Sequence, residues 1–172
     1  MLKDSLIAAK AVKFGDFTLT SGKKSNYYVD MKTPVANSPA LLRELSEELA
    51  TRVYAKTIAG VELGAVPLLI ATAVKLGIPY AIIRKEAREH GVKDPVVGSI
   101  SSGETVDIIE DVVTTGGSVL RAAKLLRERG VIVNRVICVV DREEGGAALL
   151  MENGIELVPI VKVSEIFQNG PK

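Results

Sequence analysis

Apolar residues recur along the chain in two spacings, one typical of helices and the other of short buried strands. In residues 2–13 the spacing is helical, and it places four apolar residues on one side of the predicted helix: Leu2, Leu6, Ala9 and Val12. Residues 14–26 are polar and turn-rich, and 27–31 suit a strand. The next helix begins after Ser38, whose hydroxyl suits an N-cap, with Pro39 in its first turn. Its predicted inner stripe is Leu41, Leu42, Leu45, Leu49 and Val53.

From residue 57 onward, strands and helices alternate. Strands are predicted at 57–61, 79–84, 105–110, 133–140 and 155–161, and helices at 65–76, 117–129 and 144–153. This alternation predicts an α/β fold, with a mostly parallel central sheet covered by helices on both faces. Residues 85–104 interrupt it as a long polar connection with weak strand character near 96–100. A loop of that length in a compact domain usually has a function.

Length, composition and charge narrow the class of protein. A chain of 172 residues predicts a single domain over 1–172. The net charge of +1 gives no bulk attraction to nucleic acid, so any basic function must come from local clusters. The most apolar stretch is interrupted by Pro67, Lys75, Gly77 and Pro79, which favours a core helix and a strand over a membrane span. The one cysteine, Cys138, lies in an apolar run and is expected to be a buried thiol in a reducing cytosol.

The strongest motif is VDIIEDVVTTGGSV at 106–119, where a hydrophobic strand ends in two acids and a glycine-hydroxyl turn leads into a helix. Gly116 and Gly117 allow the backbone to approach an anion, and the free N–H groups of the next helix provide donors. Two carboxylates would repel a bare phosphate, but they can accept hydrogen bonds from ribose hydroxyls. The pattern therefore predicts a site for a sugar phosphate. The lysine of a nucleoside triphosphate loop is missing, because Val119 follows Ser118.

This motif resembles the phosphoribosyl pyrophosphate signature of the type I phosphoribosyltransferases. The resemblance implies that the acids contact the ribose hydroxyls and that the turn holds the 5′-phosphate. The expected phosphoribosyl pyrophosphate residues of this segment are Glu110, Asp111, Val112, Val113, Thr114, Thr115, Gly116, Gly117 and Ser118. Asp111 is also expected to be catalytic. No certain protein ligand for a metal is predicted, because Mg²⁺ in this family is held mainly by the substrate, here near Glu110 and Asp111.

The segment RKEAREHG at 84–91 opens the long polar loop and carries four potential cations, Arg84, Lys85, Arg88 and His90. Such a cluster can neutralise pyrophosphate, although Glu86 and Glu89 partly offset its charge. The segment resembles the long flexible catalytic loop of the orotate phosphoribosyltransferases, which reaches into the neighbouring subunit. The resemblance implies a homodimer and catalytic roles for Lys85, Arg88 and His90. It also implies that all four cations bind phosphoribosyl pyrophosphate. Arginine at 88 replaces the usual lysine, and unlike lysine it does not readily give up a proton.

Three further segments extend the resemblance over about residues 14–146. FGDFTLTSGKKSNYYVDMK, at 14–32, resembles the family's N-terminal pattern, and its two tyrosines can lie against a pyrimidine or in the core. AGVELGAVPLL, at 59–69, resembles a pyrophosphate loop that binds through backbone amides. VVDREEG, at 139–145, ends a strand in Arg142, which can grip a carboxylate at two points. In the family the matching arginine binds the orotate carboxylate, and Thr114 is expected nearby.

The resemblance implies the type I phosphoribosyltransferase fold, with a small hood from about residues 1–35 and the C-terminal end. It implies an Mg²⁺-dependent transfer of phosphoribosyl to orotate in pyrimidine biosynthesis, with neither nucleic acid nor membrane as a partner. A purine or other base phosphoribosyltransferase is one alternative. A regulator that only senses phosphoribosyl pyrophosphate is another, but it would need a DNA-binding helix pair or a basic face that the sequence does not show.

Overall fold

A central sheet with helices on both faces forms the body of the protein in a computed structural model that describes residues 2–18, 24–85 and 94–167. The strands are β1 (Val12–Thr18), β2 (Lys24–Val29), β3 (Thr57–Val61), β4 (Tyr80–Ile83), β5 (Val96–Val97), β6 (Thr105–Val113), β7 (Ile132–Asp141) and β8 (Glu156–Lys162). The helices are α1 (Leu2–Ala8), α2 (Lys32–Asn37), α3 (Pro39–Ala50), α4 (Val66–Leu76), α5 (Gly117–Glu128), α6 (Gly146–Glu152) and α7 (Val163–Phe167). Among the described helices, none is long and apolar enough to cross a membrane.

The main sheet has the strand order β5-β4-β3-β6-β7-β8, and all its pairings are parallel except that of β5 with β4. The predicted mostly parallel sheet is therefore confirmed. Parallel strands bury both faces, and successive side chains of a strand point to opposite faces. In β6, Ile108 packs with the α5 and α6 side of the core, whereas Ile109 packs with the α3 and α4 side.

Helix boundaries follow the predicted caps. The Ser38 hydroxyl accepts a hydrogen bond from the Leu41 amide at 3.2 Å, and Pro39 occupies the first turn of α3. Leu41, Leu45 and Leu49 are buried, as the stripe predicts, whereas Leu42 is only partly buried. Val53 is also partly buried and lies beyond the end of α3 at Ala50, so it was wrongly included in the helix. The α4 helix ends at Gly77 in the left-handed conformation, which glycine adopts without a steric penalty.

The N-terminal prediction was wrong in two respects. The first helix ends at Ala8 instead of continuing to residue 13, and part of the segment read as turns is strand β1. β1 pairs antiparallel with β2 in a separate two-stranded sheet, with a register irregularity between Phe14 and Phe17. The irregularity explains the misreading, because a strand interrupted by Gly15 and Asp16 does not show the apolar alternation of a regular strand.

Further differences concern the ends and number of elements. β6 continues past residue 110 to Val113, since its last residues pair with β7 up to Asp141. α2 and α7 were not predicted, and both are shorter than two turns, too short for a clear hydrophobic period. Arg88 and His90, expected in the catalytic loop, lie outside the described residues.

Candidate active site

The site lies beyond the carboxyl ends of β3, β4, β6 and β7, where open parallel sheets bind ligands. Its centre is the loop between β6 and α5. A cavity of about 190 Å³ is lined by Glu110, Val112, Val113, Thr114, Thr115, Gly116, Gly117, Ser118 and Val119. The structure thus gathers the predicted phosphate residues of this segment around one space, with the exception of Asp111.

Backbone geometry shapes this loop to receive an anion. Gly116 caps α5 in the left-handed conformation, with φ of 79°, and among the described residues no side chain caps the first amides of the helix. A 12-residue helix that begins in this way offers N–H donors and a partial positive charge. A Cβ on Gly116 would lie 3.2 Å from Gly146, so the glycine also permits close backbone packing against the start of α6.

Glu110 and Asp111 are adjacent near the end of β6, and their carboxyl groups interact with each other. The Glu110 side chain lies on the α5 side, is 8% exposed and accepts a hydrogen bond from the Asp111 amide at 3.1 Å. Burial raises the pKa of the Glu110 carboxyl well above its ordinary value of 4.5, and the neighbouring Asp111 carboxyl raises it further. The positive charge of Lys85 acts in the opposite direction and lowers the pKa of Glu110.

Asp111 lies against the loop between β3 and α4. A Cβ built on Gly64 would be 1.9 Å from the Asp111 Oδ2 atom, so only glycine leaves room for the carboxylate. The opposite carboxylate oxygen, Oδ1, accepts a hydrogen bond from the Val112 amide at 2.9 Å. The segment predicted to bind pyrophosphate through its backbone is therefore in direct contact with the predicted catalytic acid.

The start of the long polar loop is fastened to the same β3–α4 segment. The Lys85 amide donates to the Glu62 carboxylate at 2.9 Å, and the Arg84 amide donates to the Pro95 carbonyl at 2.8 Å. Sequence reasoning missed the role of Glu62, since nothing local connects it to residue 85. These backbone bonds leave both cationic side chains available for other contacts.

Arg84 and Lys85 line a second cavity of about 420 Å³ together with Ser118 and Arg121. Arg121 is a residue that the sequence analysis did not single out. Its Nη1 atom would lie 3.7 Å from a Cβ built on Gly117, close to the phosphate loop. No acidic side chain lines this cavity among the described residues, so its charge is positive.

The turn that follows β7 carries Arg142 and is tied to the phosphate loop by two backbone hydrogen bonds. The Arg142 amide donates to the Val113 carbonyl at 2.9 Å, and the Gly146 amide donates to the Thr114 carbonyl at 3.1 Å. The predicted nearness of Thr114 and the Arg142 turn is thus observed. A Cβ on Gly146 would be 2.5 Å from a Val113 side-chain carbon, so the two loops pack too closely for any residue other than glycine at this position.

The Arg142 side chain is only 7% exposed and meets two polar groups. Its Nε donates to the Tyr27 hydroxyl at 3.3 Å, and its guanidinium carbon lies 4.7 Å from the centre of the Tyr27 ring. Its Nη2 lies 2.7 Å from the Glu144 carboxylate. The Tyr27 ring packs edge-on against Phe167 of α7, with ring centroids 5.0 Å apart. Of the two tyrosines expected near a base, Tyr27 lies beside Arg142, whereas Tyr28 packs against Phe17.

Comparisons with known proteins agree with this geometry. Residues 35–153 match the family model described as a phosphoribosyl transferase domain. The orotate phosphoribosyltransferase of Thermoplasma volcanium is 57% identical over 166 residues, which cover 96% of this chain and 99% of that protein. The crystal structure of orotate phosphoribosyltransferase from Aeropyrum pernix matches with a TM-score of 0.84 and 31% identity, covering 98% of this chain and 97% of that one.

A third match is the crystal structure of Mycobacterium tuberculosis orotate phosphoribosyltransferase in complex with 5-phospho-α-D-ribosyl 1-diphosphate. It has a TM-score of 0.74 and 27% identity, with 96% of each chain covered. The chain described here therefore belongs to the phosphoribosyltransferase family. Within that family, its relatives at 45–57% identity over nearly the whole chain are orotate phosphoribosyltransferases. The family predicted from the motifs is confirmed.

Proposed function

We propose that this protein transfers the phosphoribosyl group of phosphoribosyl pyrophosphate to orotate, giving orotidine 5′-phosphate and diphosphate in pyrimidine biosynthesis. The observation that carries the proposal is the placement of buried Arg142 beside the phosphate loop, joined to it by backbone hydrogen bonds. A guanidinium there can hold the carboxylate that distinguishes orotate from uracil. The identity to orotate phosphoribosyltransferases over nearly the whole chain supports the same reaction.

In this proposal the 5′-phosphate lies against the amides and hydroxyls of 114–118, at the N-terminus of α5. Glu110 and Asp111 flank the ribose, where they accept hydrogen bonds from its hydroxyls. Asp111 is the residue closer to the pyrophosphate segment, because its carboxylate contacts Gly64. The relative crystallised with phosphoribosyl pyrophosphate supports a site for this substrate in the same fold.

The donor set near the acid pair suits Mg²⁺ that is held mainly by the substrate. Two carboxylates and the oxygens of a polyphosphate are the ligands Mg²⁺ prefers, and the described residues contain no group of three potential metal-binding side chains. Bound Mg²⁺ would supply positive charge to the pyrophosphate and the ribose hydroxyls. Arg84 and Lys85 would add charge on the leaving group, with Arg88 and His90 completing the cluster from outside the described residues.

The chemistry breaks the bond between ribose C1 and the pyrophosphate oxygen and forms a bond from C1 to N1 of orotate, with inversion at C1 and transfer of the N1 proton to the departing pyrophosphate. Positive charge develops on the ribose as the leaving group departs, as in other glycosyl transfers. Arg142 and Thr114 orient the base, while Tyr27 and Phe167 close the pocket from the hairpin and from α7. In this proposal the β1–β2 hairpin and helix α7 form the hood of a single domain.

The proposal includes a homodimer in which each catalytic loop serves the neighbouring subunit. Exposed apolar residues in and beside α4 support it: Pro67 and Val74 lie on the outer side of the helix, and Leu63 lies in the turn before it. Leu63 is 68% exposed and Val74 is 75% exposed. A second copy of the chain would cover these residues. Val74→Glu should shift the protein from dimer to monomer in size-exclusion chromatography with light scattering, whereas a monomeric parent would contradict the proposal.

The decisive experiment mixes the purified protein with orotate, phosphoribosyl pyrophosphate and Mg²⁺ and follows the ultraviolet absorbance of orotate. Loss of orotate that requires all three components is expected. Parallel reactions with adenine, hypoxanthine and uracil test the purine-base alternative, and consumption of a purine instead of orotate would overturn the proposal. Binding of phosphoribosyl pyrophosphate without turnover of any base would favour the sensing regulator. The reaction is proposed to occur in the cytosol, consistent with a buried free thiol at Cys138.

A further inference from the structure

Arg142, the proposed partner of the substrate's carboxylate, is paired with a carboxylate of its own chain. The Nη2 atom of Arg142 lies 2.7 Å from the Oε1 atom of Glu144. Arg142 is 7% exposed, whereas the Glu144 side chain is 31% exposed. The tyrosine that stacks on Arg142 joins the pair, since the Tyr27 hydroxyl donates to the same Glu144 oxygen at 3.5 Å. A glutamate thus reaches into the pocket that the proposed function assigns to the base.

The atom that Glu144 occupies is the one a substrate needs. A carboxylate can grip a guanidinium at two points along the edge formed by Nε and Nη2 or along the edge formed by Nη1 and Nη2. Both edges include Nη2. The first edge is also blocked at Nε, which donates to the Tyr27 hydroxyl. A two-point grip from orotate must therefore use Nη1 and Nη2, beside Glu144.

The contact between Glu144 and Arg142 is close but poorly directed. Nη2 is fully covered by protein, yet it makes no hydrogen bond of acceptable angle, so its attraction to Glu144 is that of an ion pair. The Tyr27 contact, at 3.5 Å, is long for a hydrogen bond. A ligand carboxylate that aligns with Nη2 therefore makes a better bond than the one it replaces.

We infer that Glu144 is a built-in competitor that holds Arg142 until the carboxylate of the base displaces it. The inference rests on the proposed function, since it concerns the same pocket. Two carboxylates on one guanidinium nitrogen would lie close enough to repel each other, so one must leave. Glu144 also satisfies the charge of a nearly buried arginine, which would be costly to leave unpaired. The presence of Glu144 lowers the net affinity for orotate, because the free energy of the Glu144–Arg142 ion pair is lost when orotate binds.

The turn itself can keep its shape when Glu144 moves. The Glu143 amide donates to the Asp141 carboxylate at 2.8 Å, and the Glu143 carboxylate accepts a hydrogen bond from the Ser164 amide at 2.8 Å. Gly146 is bonded separately to Thr114. These bonds anchor both sides of Glu144 without using its side chain. The partly exposed side chain can swing into solvent while Arg142 stays in place.

The test compares Glu144→Gln with the parent in steady-state kinetics. The amide keeps the size of the side chain but removes the charge that competes for Nη2. We expect the KM for orotate to fall about two- to fivefold, the range expected for loss of a partly exposed ion pair. The kcat and the KM for phosphoribosyl pyrophosphate should stay within about twofold, since only the base pocket changes.

Glu143→Gln is the matched control, because it makes the same change one residue away, in a side chain that bonds Ser164 and not Arg142. Its orotate KM should equal that of the parent. An unchanged orotate KM in Glu144→Gln would overturn the inference, and a raised one would show that Glu144 positions Arg142 instead. Thermal melting of each variant shows whether it is folded. If Glu144→Gln unfolds, Glu144→Asp serves as the second variant, since its shorter side chain withdraws from Nη2 and should also lower the KM.

Orotate turnover by the parent separates this inference from the proposed function. If the parent does not consume orotate, the proposed function fails, whatever the variants do. If the parent consumes orotate and Glu144→Gln shows no gain, only the competitor role fails. Any activity on uracil should be unaffected in Glu144→Gln, because uracil has no carboxylate to compete. An equal gain on uracil and orotate would mean a general opening of the pocket and would also overturn the inference.

Discussion

Gly64→Ala tests whether the position of the Asp111 carboxylate limits the reaction. The added Cβ would lie 1.9 Å from Oδ2, 2.5 Å from Cγ and 2.9 Å from Oδ1 of Asp111. Ordinary van der Waals contact begins at 3.4 Å, so the carboxylate must retreat by about 1.5 Å. Asp111 is only partly buried and its short side chain can rotate, so the carboxylate can yield while the sheet stays intact.

A displacement of that size in a catalytic group costs about a hundredfold in rate, which corresponds to about 2.7 kcal/mol in activation free energy. The effect on folding should be small. Gly64 does not have a positive φ, so alanine can adopt its backbone conformation. Replacing glycine at such a position even lowers the entropy of the unfolded chain, which contributes about 0.4 to 1 kcal/mol of stability. The expected outcome is therefore low activity in a folded protein.

Orotate consumption and urea denaturation provide the two readouts, and a double-mutant cycle provides the control. Asp111→Ala removes the carboxylate with which the new Cβ would collide. If that collision is the cause, adding Gly64→Ala to Asp111→Ala should produce no further loss of kcat/KM. Activity of Gly64→Ala within about threefold of the parent would refute the reasoning. So would additive losses in the cycle, or a loss of activity that follows from unfolding.

Three other substitutions test single contacts of the site. Arg142→Ala should raise the orotate KM about ten- to a hundredfold with little change in phosphoribosyl pyrophosphate binding, and equal losses for both substrates would contradict its role. Lys85→Ala should lower kcat at least about tenfold without a large fall in melting temperature. The bond of Lys85 to Glu62 uses the backbone amide, and Lys124→Ala is the exposed control. Glu110→Gln should stabilise the protein near pH 8, in urea denaturation without Mg²⁺ or substrate. The folded state raises the pKa of Glu110, so the stabilising contribution of Glu110 is present below about pH 4.5 and is lost as pH rises through the raised pKa. The stability gained by Glu110→Gln should therefore vanish near pH 4. A gain in stability that does not depend on pH would exclude the ionisation of Glu110 as its cause.

The main sheet could be predicted from the sequence because its strands are short apolar runs separated by helices with clear ends. The strand Thr57–Val61 has the predicted bounds, and α3 begins at the predicted cap of Ser38. The end of β6 could not be predicted from such an apolar run. Two acids interrupt the apolar run at 110–111, yet the strand continues because Val112 pairs with Val140 of β7. Pairing between strands depends on the tertiary fold, which local composition does not specify.

The candidate site also has a part that could be predicted from the sequence and a part that could not. The phosphate loop is contiguous in sequence, so its residues could be predicted as a set, and the structure places them around one cavity. The partners of its charged groups come from distant parts of the chain. Gly64 meets Asp111, and Tyr27 meets Arg142, through contacts between separate elements. The order of motifs along a chain does not give the distances between them in space, and Glu62 and Arg121 were missed for that reason.

Three charged groups of the site, Glu110, Asp111 and Arg142, share one physical feature, which is that each meets another group of the chain where a substrate group is proposed to bind. The Asp111 carboxylate lies against the backbone at Gly64, and the Arg142 guanidinium is paired with Glu144. The Glu110 carboxyl favours its neutral form because it is buried beside another acid. Such pairings limit the cost of burying polar groups and keep the site in shape. A carboxylate that binds Arg142 must then replace an existing contact, so its free energy of binding is a difference between two interactions. This difference explains why removing the internal competitor Glu144 should tighten orotate binding, whereas removing Arg142 should weaken it.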